Sequence, residues 1–359
     1  MMKTLMDVLT MTSSIRRNNR LSYLRAIACI GIIILHTVFS AHRIYSQTLS
    51  AGDKKIALIV ENNLMWAVPV FIMVTGALLL NPRKNMSPHK IFKYISRVFL
   101  ALVLTVFLYG LCDLVSSGDR FGWTFISETF RKLFTGESWS NLWYLYMLIG
   151  LYLMLPFYRL LTEKGRENLV RYYIFLNIVF FALLPLFQLM KIKVGFYIPI
   201  LNIYPCYLFM GYALDAGVLK KQNAKTYLAG VVVTTLLIAI MTRVYVKTGN
   251  KMLPMLWRYS SLAVILQSGF LFGYVDNSIG NKPEKIGKIL LFVDKYSFDI
   301  YLLHMIFVRY ALKHMKINPF QYGFLGLLGL VVSVTVISLL ISMALEYVRK
   351  RCERYHSFK

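Results

Sequence analysis

The 359 residues are 57% hydrophobic, carry a formal net charge of +25, and have a mean hydropathy of +0.57. Apolar runs of about twenty residues recur from end to end, which excludes a soluble globule and identifies a polytopic membrane protein. The basic excess lies mostly between the apolar runs, so it marks membrane sidedness; no nucleic-acid-binding motif accompanies it.

The first run, 21–41, holds the most informative residues. Arg25 and His36 sit eleven positions apart with only Cys29 and Gly31 interrupting the aliphatic residues between them. Three helical turns separate them, so both side chains fall on one face, roughly 16 Å apart along the axis. An arginine near a bilayer centre costs about 2.5–3.5 kcal/mol on insertion scales, so such a residue calls for a partner or a task. The preceding Arg16, Arg17 and Arg20 give the N-terminus a basic flank. The run after them is long enough to span, and cleavage after Ser40 or Ala41 would discard the pair, so it is read as a retained first helix.

Nine further candidate spans follow at 58–80, 94–115, 139–160, 172–190, 198–219, 226–246, 256–275, 289–312 and 322–346, the least regular being 198–219 with Pro199 and Pro205. The fold class is therefore all-α, a helical bundle of about ten transmembrane helices. With the N-terminus inside, the inner loops carry roughly twice the Lys and Arg of the outer ones, which puts both termini in the cytoplasm. The organisation read from this is a cytoplasmic segment 1–20, one membrane domain 21–346, and a basic tail 347–359. Within the loop 116–138, residues 123–134 have the pattern of a short interfacial amphipathic helix.

The four cysteines support no disulfide framework, and no Cys/His spacing suggests a metal site. Arg243, Arg258 and Arg309 fall near outer helix ends, where snorkelling accounts for them. Asp294 and Lys295 lie near the inner interface in structural positions, and His42, His89, His314 and His356 are read as solvated loop or end residues. His36 suits proton transfer, because imidazole is the side chain whose ordinary pKa lies nearest neutrality; interhelical hydrogen bonding is the competing reading. His304 lies in the outer half of the ninth span, with Tyr301 and Ser297 near the same face. That stripe fits either an acceptor site or interhelical bonding.

The Arg25-x10-His36 helix resembles the first helix of the acyltransferase-3 membrane family. Other stretches follow in that family's order: Val68-Pro-Val-Phe-Ile-Met-Val-Thr-Gly, then Leu142-Trp-Tyr-Leu-Tyr-Met-Leu-Ile-Gly-Leu-Tyr-Leu-Met-Leu-Pro, then Tyr296-Ser-Phe-Asp-Ile-Tyr-Leu-Leu-His. The resemblance implies transfer of an acyl group, usually acetyl from cytoplasmic acetyl-CoA, to a hydroxyl of a cell-envelope glycan or lipid-linked sugar, in the plasma (inner) membrane. It maps the family's Arg/His pair onto Arg25 and His36, and its basic position after the second helix onto Arg97. The paired glutamates of one branch would fall near Leu148 and Ile149 and are absent. Many members also carry a C-terminal esterase-like domain, for which this chain is too short. It is therefore similar to the standalone branch, such as the enterobacterial common antigen O-acetyltransferase.

The site expected from these readings has His36 as catalytic base and Arg25, three turns away on the same face, as the second catalytic residue. Arg25 and Arg97 would hold the phosphates of a CoA donor, since guanidinium meets phosphate bidentately. Lys90 and Lys93 are placed to assist, but sidedness explains them without a substrate. His304, Tyr301 and Ser297 would face the acceptor, and no metal is involved. The competing function class is a transporter of polysaccharide or lipid-linked sugar, with His36 relaying protons. Oligomeric state is not legible in the chain.

Overall fold

A computed structural model describes residues 19–192, 194–196, 202–278 and 284–357. The N-terminal segment up to residue 18, the start of the 198–219 stretch, Lys193, Lys282 and the last two residues of the tail lie outside it. Among the described residues there are helices and turns and no strand. Among the described residues six helices are long and apolar enough to cross a membrane: Asn19–Ile44, Ala51–Leu79 taken through a short break, Pro88–Ser117, Glu167–Met190, Ala224–Thr248 and Leu325–Arg351. Ser140–Leu153 and Leu155–Leu161, bent by 58° at Met154, make a seventh if counted as one span.

The remaining three apolar stretches each include a described helix. They contain Tyr204–Asp215, Leu262–Ser278 and Glu284–Arg309. The last matches the spans in length, but Glu284, Lys285, Lys288, Asp294, Lys295, Asp299 and Arg309 break its apolar run.

The described residues fall into two compact units. The first comprises 83–160 and 344–357; the second comprises 19–82 and the described residues of 161–343. In the first unit, α4 (Pro88–Ser117) begins where Ser87 accepts the Lys90 N–H and Pro88 takes a position that needs no donor. Gly118, at φ +74°, ends it in the left-handed conformation. Against α4 pack α5 (Trp123–Thr135) and α6 (Trp143–Leu153), with α7 (Leu155–Leu161) following the bend. Trp139 stacks on Tyr109 at 4.0 Å and donates its indole N–H to Asp113 at 2.9 Å, while Asn141 donates to the Tyr109 hydroxyl at 3.0 Å.

The amphipathic helix predicted at 123–134 forms as α5. Phe125 and Leu133 are buried, Trp123, Phe130 and Phe134 are exposed, and Glu128, Arg131 and Lys132 form a charged side. Arg131 bonds Glu128 and Glu137, and those hydrogen bonds hold both carboxyls below their ordinary value of 4.5.

The second unit is organised around α1 (Asn19–Ile44). It packs on α2 (Ala51–Asn63), α3 (Ala67–Leu79) and α12 (Glu284–Arg309). The closest pairing is between α3 and α9 (Tyr204–Asp215). A Cβ on Gly76 would overlap the Leu208 carbonyl, and one on Gly211 would overlap the Met73 carbonyl. Paired glycines thus let two backbones approach closely, the usual device of membrane helices, which lack a hydrophobic drive between them. The remaining helices of the unit are α8 (Glu167–Ile178, continuing to Met190), α10 (Ala224–Thr248) and α11 (Leu262–Ser278). Finally, α13 (Gly323–Ser357) sends Leu330, Val331 and Val334 into a core with Cys29, Ile33 and Ala41 of α1 and Tyr296, Ile300 and Val308 of α12.

Candidate active site

Helices α1 and α12 run parallel and stay in register over their shared length. Arg25 meets Asp294, the Cys29 thiol reaches the Ser297 carbonyl at 3.7 Å, His36 meets His304, and the Tyr45 hydroxyl beyond α1 donates to the Leu312 carbonyl at 2.8 Å. The sequence offsets of these four contacts are 269, 268, 268 and 267. A drift of two residues over twenty means the helix axes lie nearly side by side. Each polar residue three turns apart on α1 therefore faces a polar residue on α12.

At one end, Arg25 donates Nε–H to Asp294 Oδ1 at 2.7 Å and Nη2–H to Asp294 Oδ2 at 3.1 Å. The Asp294 carboxylate is completely buried, while the Arg25 side chain is 36% exposed. A carboxylate sealed in an apolar bundle requires such a partner, and the bidentate fork fixes the plane of the guanidinium. The fork's side edge is occupied by Asp294, which leaves Nη1–H and the second Nη2–H directed away from the pair.

At the other end, His36 Nδ1 lies 2.7 Å from His304 Nε2, with the two rings nearly coplanar at 8°. His304 is fully buried and its Nδ1 lies 3.2 Å from the Ile300 carbonyl one turn back. Tyr301 is buried beside it, with ring centroids 6.0 Å apart. Ser297 is buried too, and its hydroxyl donates to the Asp294 carbonyl at 2.9 Å.

Four of the residues singled out in the sequence, Arg25, His36, Ser297 and His304, thus meet along one helix–helix seam, with Tyr301 adjoining. Arg97 sits half-buried on α4 in the other unit. Asp294, read from the sequence as structural, proves to be the direct partner of Arg25. The signal for it was present: a carboxylate in an apolar stretch marks a partnered or functional position.

Two further clusters in the second unit were not legible in the loop-based reading. His42, taken as a solvated helix end, instead pairs with the buried Glu61 of α2 at 2.9 Å, because the helix carries it inward of the turn where α1 ends. The adjacent Asn62 donates to Thr242 of α10 at 3.0 Å. Asp276 of α11 is buried and gathers Arg20 at 2.9 Å and Lys221 at 2.8 Å, so two bases assigned to inner loops share one carboxylate.

The seam pairs a guanidinium held by a carboxylate with an imidazole held by another imidazole, three turns apart. Such an arrangement can hold an anionic group at one end and accept a proton at the other. A search of curated proteins and one of solved structures each found no significant match. A family model described as an acyltransferase domain matches residues 18–347, which takes in every residue of the seam. On that match the chain belongs to the acyltransferase-3 family of membrane acyltransferases.

Proposed function

We propose that this membrane acyltransferase moves an acetyl group from cytoplasmic acetyl-CoA to a hydroxyl of a cell-envelope glycan or lipid-linked sugar. The setting is the plasma (inner) membrane, with about ten spans and both termini in the cytoplasm. The observation that carries the reading is the α1–α12 seam, on which Arg25 and His36 share one face and each is oriented by a residue of α12. Positive-inside counting puts the Arg25 end towards the cytoplasm, where the donor arrives. The outward edge of the Arg25 fork suits a CoA phosphate, and the sequence nominates Arg97 for the same donor. A pantetheine arm has about the length of three helical turns, so a thioester could lie beside His36 while its phosphates rest near Arg25.

In the reaction His36 takes the proton of the acceptor hydroxyl as its oxygen attacks the thioester carbonyl carbon. The tetrahedral oxyanion collapses, the carbon–sulfur bond breaks, and the CoA thiolate recovers that proton from His36. Ester and free thiol are the products, and no proton is gained or lost overall. The test is to incubate purified protein with labelled acetyl-CoA and an envelope glycan fraction. Label should enter the glycan with the wild type and not with His36→Ala. Wild-type protein that neither transfers nor hydrolyses the acetyl group would overturn the proposal.

A further inference from the structure

We infer that His304 is the positioning residue that fixes the His36 tautomer, leaving Nε2 of His36 as the basic atom. The Ile300 carbonyl can only accept a hydrogen bond. Because it lies 3.2 Å from His304 Nδ1, that nitrogen carries the proton. In a neutral imidazole the other nitrogen is then a lone pair, so His304 Nε2 is an acceptor. His36 Nδ1, 2.7 Å away, must donate to it. With its proton on Nδ1, His36 presents Nε2 as a lone pair. The direction of the whole chain is set by one backbone carbonyl on α12.

Two further observations fit a positioning role better than an acceptor contact. His304 is fully buried, and both of its ring nitrogens are engaged within the protein, so no hydrogen-bonding atom remains for a sugar. The rings of the pair are nearly coplanar, which aims the His36 Nδ1–H along the His304 lone pair and fixes the plane in which Nε2 points. A base held by a third group in the correct tautomer is the arrangement general-base catalysis requires. Here an imidazole fed by a carbonyl takes the place a carboxylate usually fills, which avoids a buried negative charge beside the reacting centre.

The inference rests on the proposed role of His36 for its catalytic meaning, but the tautomer itself is measurable without turnover. Nitrogen-15 NMR of histidine-labelled protein in detergent, with His36 identified by its loss in His36→Ala, should show Nδ1 protonated and Nε2 bare. In His304→Leu that preference should disappear. A His36 ring protonated at Nε2 in the wild type, neutral or cationic, would overturn the inference, whether or not the protein proves to be an acetyltransferase. Kinetics give a second arm. His304→Leu should lower kcat on the order of 10²-fold with both KM values unchanged, and His304→Gln, whose amide oxygen can accept the same bond, should recover part of it. A raised acceptor KM with kcat intact would instead make His304 a substrate contact and overturn the positioning role.

Discussion

Asp294, sealed from solvent, grips Arg25 through both carboxylate oxygens, at 2.7 and 3.1 Å. The pair converts an arginine that an apolar helix would reject into one whose charge is balanced and whose outward edge has a fixed direction. Under the proposed function that edge is what a donor phosphate would meet, and Asp294 would bear on donor binding without touching the donor.

Replacing Asp294 by Asn keeps the shape and removes the charge. We expect KM for acetyl-CoA to rise about tenfold, the effect of about 1.4 kcal/mol, with kcat less affected. Arg25→Lys should do the same or worse, because an ammonium cannot serve the carboxylate and a phosphate with one rigid fork. Exchanging the two residues should restore accumulation of folded protein but not donor affinity, since the guanidinium would then sit on α12. Steady-state kinetics against acetyl-CoA, beside detergent-solubilised yield, separate these outcomes.

The reciprocal glycines of α3 and α9 predict a packing defect. Gly76→Ala or Gly211→Ala forces a methyl into a backbone carbonyl and should destabilise by about 3 kcal/mol, the upper range for overpacking. A Cβ on Gly150 of α6 would meet nothing within 4 Å, so Gly150→Ala is the control. Thermal melts in detergent should fall for the first two and stay within a degree or so for the third on the scale of surface substitutions.

His42 and Glu61 join α1 to α2 away from the α1–α12 seam. Glu61→Leu should leave His42 without its buried partner and cost about 1–3 kcal/mol of stability. Glu61→Gln, which keeps a hydrogen-bonding oxygen, should cost less. Both variants should retain kcat in the fraction that remains folded.

The Arg131 network on α5 predicts a local acid response. Folding holds the Glu128 and Glu137 carboxyls below 4.5, so their contribution is fully present above that value and is lost as pH falls through the depressed values. Hydrogen exchange across 123–137, corrected for its intrinsic pH dependence, should stay slow at neutral pH and quicken only in that acid range. Glu128→Gln should quicken it at neutral pH.

Much of the site was legible in the sequence because membrane helices make polar residues conspicuous. Arg25 and His36 stood out by cost and spacing, and His304 and Ser297 by their place in an apolar stretch. Their pairing across α1 and α12 was not legible, because periodicity fixes which face a residue occupies and not which helix that face meets. His42 was misjudged for a related reason: it lies near the end of α1, where solvent exposure is the ordinary expectation, and only the packing of α2 put it against a buried carboxylate. Asp294 was read as structural, and its partner, Arg25 on another helix, was not legible. The apolar stretches anticipated helices throughout. The 256–275 and 198–219 regions hold described helices of 17 and 12 residues: Leu262–Ser278 follows a turn at 258–261, and Tyr204–Asp215 carries Pro205 in its first turn.

The most direct test of the central claim measures acetyl transfer by His36→Ala against wild type, using labelled acetyl-CoA and protein shown to be folded and monodisperse. Label should reach the glycan with wild type, transfer should fall on the order of 10²–10⁴-fold in the variant, and donor binding should survive. Transfer by His36→Ala at the wild-type rate would contradict that claim.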